Sequence, residues 1–231
     1  MTAATKLRRL ILPAVMTLVM LGVLVSLGNW QLRRLAWKQA LLAQIAHAEA
    51  SPAVPLPLNP EPYEKVRAEG TIRADRTVLY GAFVRESPQG PRMGADLLAV
   101  MERKDGPPLL VDLGWVPQGA LPPAEIWAGK RSVEGFIRAA EHPGWFSAKD
   151  DPAGRHFYTL DPIAIGAALG ERLAPFTLIA LGPTPPGGAP DPAHALPRPR
   201  NAHLSYAITW YGLAAALVVI FALWAQRTLR E

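Results

Sequence analysis

The chain has 231 residues, 50% of them hydrophobic, and a formal net charge of +5 at pH 7. It contains no cysteine, which excludes a disulfide framework, a thiolate metal site and a cysteine-based copper chaperone. Residues 39–202 hold 16 basic and 18 acidic side chains, so the basic excess lies at the two ends of the chain. This distribution argues against nucleic-acid binding.

Two apolar stretches, residues 10–27 and 204–224, each have the length of a membrane span. About 20 mainly apolar residues cross a hydrocarbon core of ~30 Å as a helix. A retained anchor is favoured over a cleaved signal peptide, because the first stretch is longer than an h-region. The pattern predicts a hairpin through a bilayer, with one domain held between the two spans.

Basic side chains next to the spans predict the orientation of the hairpin. Five lie beyond the outer ends of the spans: Lys6, Arg8, Arg9, Arg227 and Arg230. They favour cytoplasmic termini, whereas Arg33, Arg34 and Lys38 oppose this; long loops are largely exempt from the rule. Too few residues precede the first span for a transit peptide. We therefore expect a bacterial inner membrane, cytoplasmic termini and a periplasmic central domain.

The residues between the spans predict a β-rich domain. Good helix formers extend the first helix to Ala50, where Ser51-Pro52 ends it. Polar and apolar residues alternate over residues 65–73, as in a strand with one face exposed to solvent. Further strands are predicted over residues 77–84, 95–101, 109–116, 132–138 and 176–180, and a short helix between Asp161-Pro162 and Gly170.

The predicted fold is therefore that of a membrane protein in which two transmembrane α-helices frame one β-rich α+β domain, an antiparallel sheet or partly open barrel. The predicted divisions are residues 1–50 (first helix), 51–182 (domain), 183–200 (linker) and 201–231 (second helix and tail). Seven prolines between Gly182 and Arg200 predict an extended, structureless linker.

His203 is the first candidate ligand. On a helix it shares one face with Tyr206, Ala207 and Trp210. Ionisable groups at the edge of a membrane tend to face a protein interior or a cavity, and a neutral imidazole with an aromatic wall is suited to ligating haem iron. The competing interpretation is an ordinary aromatic belt at the membrane surface.

A second candidate group follows the first span. Trp30, Arg33, Arg34 and Trp37 have the i, i+3, i+4, i+7 spacing of one helix face. A guanidinium over an indole is a favourable pair, and two arginines at an interface suit carboxylates such as haem propionates. The competing interpretation is that these side chains only anchor the end of the helix.

The sequence offers no motif for catalysis. It lacks a Gly-x-Ser-x-Gly elbow, a His-Glu-x-x-His helix and a glycine-rich phosphate loop. Asp150 and Asp151, with His142 and His156 nearby, match no common metal-ligand spacing, and turn chemistry explains the aspartates better. We expect a protein that is not an enzyme.

Several motifs in order resemble the Surfeit locus protein family, the Surf/Shy-type assembly factors of cytochrome c oxidase. The first anchor carries Leu27-Gly28-Asn29-Trp30-Gln31 with Trp37-Lys38, and the second carries Asn201-Ala202-His203 with Tyr206-Ala207 and Thr209-Trp210-Tyr211-Gly212. Between them lie residues 66–71, 113–117 and 133–135, then Trp145, Asp151-Pro152, Phe157-Tyr158 and Asp161. One departure is Asp112-Leu113-Gly114, where the family usually has Asn-Arg-Gly.

This resemblance implies a non-enzymatic role in maturing cytochrome c oxidase subunit I, around the insertion of haem a. It implies that haem a is bound transiently and that His203 is its ligand. Tyr206, Trp210, Trp30, Arg33 and Arg34 are the surrounding site residues that we predict. The expected partners are subunit I, haem a synthase and the lipid bilayer, and the alternative role is a scaffold that stabilises oxidase intermediates without binding haem.

Overall fold

The computed structural model describes residues 3–86, 90–119, 121–198 and 200–230. The chain divides into two compact units, one formed by Met1–Gln44 with Arg198–Glu231 and the other by Ile45–Pro197. The first unit is helical, and the second carries the β-sheet.

Helix α1 spans Ala3–Ala50 and helix α4 spans His203–Arg230. Both contain a window that is long and apolar enough to cross a membrane, and only 6% and 11% of the residues in those windows are buried. A core helix of a soluble protein would be mostly buried, so this exposure fits a surface that faces lipid. The prediction of two apolar helices at the ends of the chain is confirmed.

The second unit contains a seven-stranded mixed sheet. Its strands are β1 (Val54–Pro55), β2 (Lys65–Arg85), β3 (Arg92–Glu102), β4 (Leu109–Pro117), β5 (Gly129–Ala139), β6 (His156–Phe157) and β7 (Phe176–Ala180). The order is β1-β2-β3-β4-β7-β5, and β6 pairs with β2. Most neighbours are antiparallel, but β1 and β6 run parallel to β2, and β7 runs parallel to β4.

Strand β2 shapes the sheet because it has 21 residues and pairs with four other strands, β1, β3, β5 and β6. Its first part, from Lys65 to Ile72, pairs with β5. From Thr71 onward it also pairs with β3, with a register shift between Ile72 and Thr77. The line of pairings therefore returns to β2, and the sheet is curled without forming a regular barrel. The two separate strands predicted over residues 65–73 and 77–84 are wrong, since a bulge replaces the expected turn.

The hydrophobic core lies on one face of the curled sheet. Alternate residues of the central strands form it, among them Leu97, Ala99 and Met101 of β3 and Leu109 and Val111 of β4. Strand β4 is buried at eight of its nine positions, so its other face is covered too. A strand buried on both faces needs a nearly continuous apolar sequence, and the single acidic residue in β4 is therefore unusual.

Two short helices complete the unit, α2 (Ala124–Trp127) and α3 (Pro162–Leu169). The Asp161 side chain caps α3 by accepting hydrogen bonds from the backbone N–H groups of Ile163 and Ala164. Gly170 ends the helix in the left-handed conformation, with φ of 73°. Both boundaries agree with the prediction from the sequence.

The expectation of a structureless segment over residues 183–200 is wrong at Asp191. Trp115 and Asp191 exchange two backbone hydrogen bonds of 2.9 Å, and Ala193 forms a bridge with Leu181. The Asp191 carboxylate accepts a hydrogen bond from Thr184 and pairs with Arg85. Proline removes backbone donors but leaves the residues between prolines free to bond, so a proline-rich segment can still be fixed to a sheet.

Candidate functional site

The two long helices meet along narrow stripes of small and polar residues. In the part of α1 that belongs to the helical unit, the buried positions among the described side chains are Leu24, Gly28 and Gln31, which have the i, i+4, i+7 spacing of one face. On α4 the buried positions are Ala207 and Ala214, which lie two helical turns apart on one face. In lipid there is no hydrophobic driving force for helix association, so small residues favour it by letting the helix backbones approach closely. Polar side chains can then bond across the helices.

Gln31 and His203 form the central contact between these helices. The distance from His203 Nδ1 to Gln31 Oε1 is 2.7 Å, and Gln31 is only 8% exposed. A carboxamide oxygen is an acceptor, so the imidazole donates its Nδ1–H to it. The proton is then on Nδ1, and Nε2 carries the lone pair. No hydrogen bond to Nε2 occurs among the residues that the structure describes.

A second contact joins the same helices. Tyr211 Oη donates a hydrogen bond of 2.7 Å to Asn29 Oδ1. The ring of Tyr211 also lies over Gly28, where a Cβ atom would come within 2.8 Å of two ring carbons. The glycine of the first-anchor motif is therefore required by the aromatic ring of the second-anchor motif. Motifs more than 180 residues apart in sequence fit each other as one contact.

We expect Gly28→Ala to weaken the packing of the two helices. The added methyl group overlaps a ring held in place by Asn29, and overpacking of this kind costs about 1–3 kcal/mol. Gly22→Ala is the matched control, because nothing lies within 4 Å of the Cβ position there. Thermal unfolding of the full chain in detergent micelles, followed by helical circular dichroism, measures the difference. Equal midpoints for the two variants would contradict the role assigned to Gly28.

The structure distributes the six predicted site residues over different environments. His203 and Trp210 are half-buried, whereas Tyr206 is 57% exposed and Trp30 is 49% exposed. Arg33 and Arg34 are both exposed. The predicted stacking of a guanidinium on an indole is confirmed for Arg34, whose Cζ lies 4.5 Å from the centroid of the Trp37 ring. Gln31 belongs to the first-anchor motif but is not among the six predicted site residues.

The group around Asp150 and His156 serves the local backbone. Asp150 Oδ1 accepts hydrogen bonds from the N–H groups of Tyr158 and Thr159, and Asp151 Oδ1 accepts one from Gly154. Among the described residues, no group of three or more histidine, aspartate or glutamate side chains is placed to hold a metal ion. Turn chemistry, as predicted, accounts for the aspartates.

A pair of carboxylic acids lies inside the sheet unit. Asp112 of β4 is 4% exposed, and its Oδ1 accepts a hydrogen bond of 2.9 Å from the N–H of Gly114. Burial, followed by the neighbouring Asp96, raises the pKa of Asp112 to about 8. Burial also raises the pKa of Asp96 to about 6, although Arg85 and Arg138 oppose this rise. Asp112 is therefore mainly a neutral acid at pH 7.

These features define a class of protein in which a mixed-sheet domain is framed by two candidate membrane helices that are joined by a histidine–carboxamide contact. The sequence profile described as the SURF1 family matches residues 18–215. The chain therefore belongs to the SURF1 family.

Similar proteins occur in bacteria and in eukaryotes. A SURF1-like protein of Monosiga brevicollis is 31% identical over 216 residues, covering 86% of this chain and 81% of that protein. A SURF1-like protein of Rickettsia conorii is 30% identical, with 89% and 88% covered. Surfeit locus protein 1 of Homo sapiens is 29% identical, with 89% and 74% covered. The candidate spans and the Rickettsia relatives together indicate a bacterial membrane protein.

Proposed function

We propose that this protein is a non-enzymatic assembly factor for cytochrome c oxidase that holds haem a for insertion into subunit I, with His203 as the iron ligand. The observation that carries the proposal is the hydrogen bond from His203 Nδ1 to Gln31 Oε1. Histidines that ligate metals commonly donate the other ring N–H to an oxygen acceptor, which fixes the tautomer and the ring orientation. The Gln31–His203 pair has this arrangement, with Nε2 as the ligating atom.

The surroundings of His203 suit haem a as a cargo. Haem a has a long apolar tail and two propionates, so free haem a partitions into lipid. The exposed apolar faces of α1 and α4 offer a surface for the tail, and the exposed guanidinium groups of Arg33 and Arg34 suit the propionates. A site of this kind, with a single histidine ligand, would release its cargo more readily than a closed pocket would. Such release is what delivery to the oxidase requires.

The orientation that we propose follows the charges at the ends of the chain. Both termini lie in the cytoplasm of a bacterial inner membrane, and the sheet domain lies in the periplasm. Haem a synthase is the expected donor of the haem, and subunit I is the expected acceptor.

The same contact also favours a second candidate function, a scaffold for oxidase intermediates that binds no haem. In that case the Gln31–His203 bond joins the two helices and has no further role. Hydrogen bonds between helices in membranes are worth about 0.6 kcal/mol on average, enough to support packing. The two functions differ in what a substitution of His203 does to bound pigment.

The test is a reduced-minus-oxidised absorption spectrum of the full chain purified from cells that make haem a. We expect an a-type band from the natural protein and none from His203→Ala or His203→Gln. Glutamine retains a polar partner for Gln31 but provides no imidazole, so it separates ligation from helix pairing. His142→Ala, which alters an exposed loop, is the matched control and should keep the band. No band in any chain would leave the scaffold as the function, whereas a band that survives both substitutions of His203 would show that another residue ligates the haem.

Gln31→Leu provides a graded prediction for the same site. Leucine fills a similar volume but cannot accept the Nδ1–H, so the imidazole loses the hydrogen bond that orients it. Loss of such a partner typically lowers metal affinity by about 10- to 100-fold, and we expect haem affinity to fall within that range. Titration of the apoprotein with haem in detergent measures it. An unchanged affinity would show that the Gln31 contact does not prepare His203 for iron.

A further inference from the structure

Two aromatic side chains between β5 and β6 project completely into solvent. Trp145 and Phe146 are each 102% exposed. The next most exposed large hydrophobic side chain among the described residues is Leu58, at 77%. Folding normally removes such rings from water, since each buries a large apolar area. Two neighbouring rings that stay fully exposed indicate a site of contact with a partner.

The loop that carries the two rings is fixed at both ends. At one end Glu141 N–H donates to Leu160 O at 2.9 Å, and the Glu141 carboxylate accepts hydrogen bonds from Tyr80 Oη and the N–H of Leu160. At the other end Asp150 accepts two backbone hydrogen bonds, from Tyr158 and Thr159. The loop is therefore ordered without burying its own aromatic residues.

The tip of this loop is a turn that satisfies part of its own backbone. Gly144 N–H donates to Ser147 Oγ at 2.8 Å, and Ser147 N–H donates to Gly144 O at 3.1 Å. Transfer out of water costs less free energy for a turn whose backbone groups are hydrogen-bonded within the chain than for one whose backbone is hydrogen-bonded to solvent. The two aromatic residues lie between these bonded residues, so the tip can enter a less polar environment.

The neighbours of the tip favour a lipid surface over a protein surface. Residues 142–149 are all exposed, so the rings stand on a narrow projection. Protein hot spots usually lie within a ring of further contacts that exclude water, and these small or polar neighbours do not form one. Trp is enriched at membrane interfaces, where its ring lies at the level of the headgroups. Since the same chain carries two candidate spans, a bilayer is present at high effective concentration.

We propose that residues 143–147 form a shallow membrane anchor that inserts the rings of Trp145 and Phe146 among the lipid headgroups. This anchor is a third attachment of the chain to the bilayer and is independent of haem binding.

The test uses the full chain labelled with 5-fluorotryptophan in lipid nanodiscs. The chain has seven tryptophans, and Trp145→Phe assigns the resonance of Trp145 by its disappearance. We expect a nitroxide carried on the lipid headgroup to broaden this resonance severalfold more than an aqueous gadolinium chelate does. Trp127, only 7% exposed within the sheet unit, is the internal control and should respond to neither probe.

Phe146→Ser provides a second measurement. It removes no packing, because the ring is fully exposed, and it should reduce the broadening of Trp145 by the lipid probe. Broadening of Trp145 by the aqueous chelate alone would overturn the proposal. Protection from the chelate that develops only after purified oxidase is added would also overturn it, and would assign the loop to a protein interface.

Discussion

Gly114→Ala is expected to destabilise the sheet unit by about 3 kcal/mol or more. Gly114 has φ of +110°, and an alanine Cβ there would lie 2.1 Å from the carbonyl oxygen of Asp191. The obstructing atoms belong to a backbone, so no side-chain rotation relieves the overlap. The segment would have to move away from β4, which breaks the two 2.9 Å hydrogen bonds between Trp115 and Asp191.

Gly129→Ala separates this overlap from the strain of a positive φ. Gly129 has φ of +91°, but nothing lies within 4 Å of its Cβ position. We expect Gly129→Ala to lower the free energy of unfolding by about 1–2 kcal/mol, the cost of the left-handed conformation alone. Urea unfolding of the full chain in detergent micelles, followed by tryptophan fluorescence, compares the two variants. Equal losses would mean that conformation, and not contact with Asp191, requires glycine at position 114.

The helices were predictable from the sequence because their signals are local. Apolar length specifies α1 and α4, and a capping aspartate with a terminal glycine specifies α3. Strand β2 was predicted less well. Two strands, over residues 65–73 and 77–84, were predicted in its place, but Arg73 and Asp75 bond to each other at 3.0 Å and Arg73 also pairs with Glu102 of β3. The bulge keeps these charges in water while the strand continues.

The closure of the sheet could not be predicted, because it depends on distant residues. Pairing of β2 with β5, and of β4 with β7, joins segments that no local pattern relates. The attachment of Asp191 to Trp115 is of the same kind. It depends on a glycine whose missing side chain admits the second backbone, and on Arg85, which is 106 residues away from Asp191.

The candidate site was predictable in its residues but not in its contact. The motifs of the first and second anchors were both evident, and they contain Gln31 and His203. Their pairing joins residues 172 positions apart, and only the packing of the helices brings them together. The i, i+4, i+7 spacing of Leu24, Gly28 and Gln31 was the available signal for the inward face. A polar residue on an otherwise apolar stripe predicts a partner across the interface.

The sequence also indicated that Asp112 is unusual. It is the single charged residue of the apolar strand Leu109–Pro117. A strand that is buried on both faces leaves such a residue no access to water, so it must either pair with a charge or become neutral. Burial and the neighbouring Asp96 favour the neutral form of Asp112, and together they outweigh the N–H of Gly114, which favours the ionised form.

Asp112→Asn is expected to remove the dependence of stability on pH between about pH 6 and pH 8. The pKa of Asp112 is about 8 in the folded chain against an ordinary value of 3.8, so the folded state binds more protons than the unfolded state between these values. Stability therefore falls as pH rises, and the contribution of the neutral acid is lost as pH passes the folded pKa. Asparagine keeps an oxygen for the N–H of Gly114 and cannot ionise.

The pH ranges of the two acids overlap below about pH 6, and above it the fall in stability belongs to Asp112. Asp96, with a pKa of about 6, gives a fall of the same sign at lower pH, and this fall should remain in Asp112→Asn. At pH 9 we expect the variant to be more stable than the natural protein by a few kcal/mol. Urea unfolding of the full chain from pH 5 to pH 9 measures the profile, and Asp105→Asn in an exposed turn is the matched control. If Asp112→Asn follows the natural profile above pH 6, Asp112 is already ionised in the folded protein, and its burial must be balanced by Arg85 and Arg138.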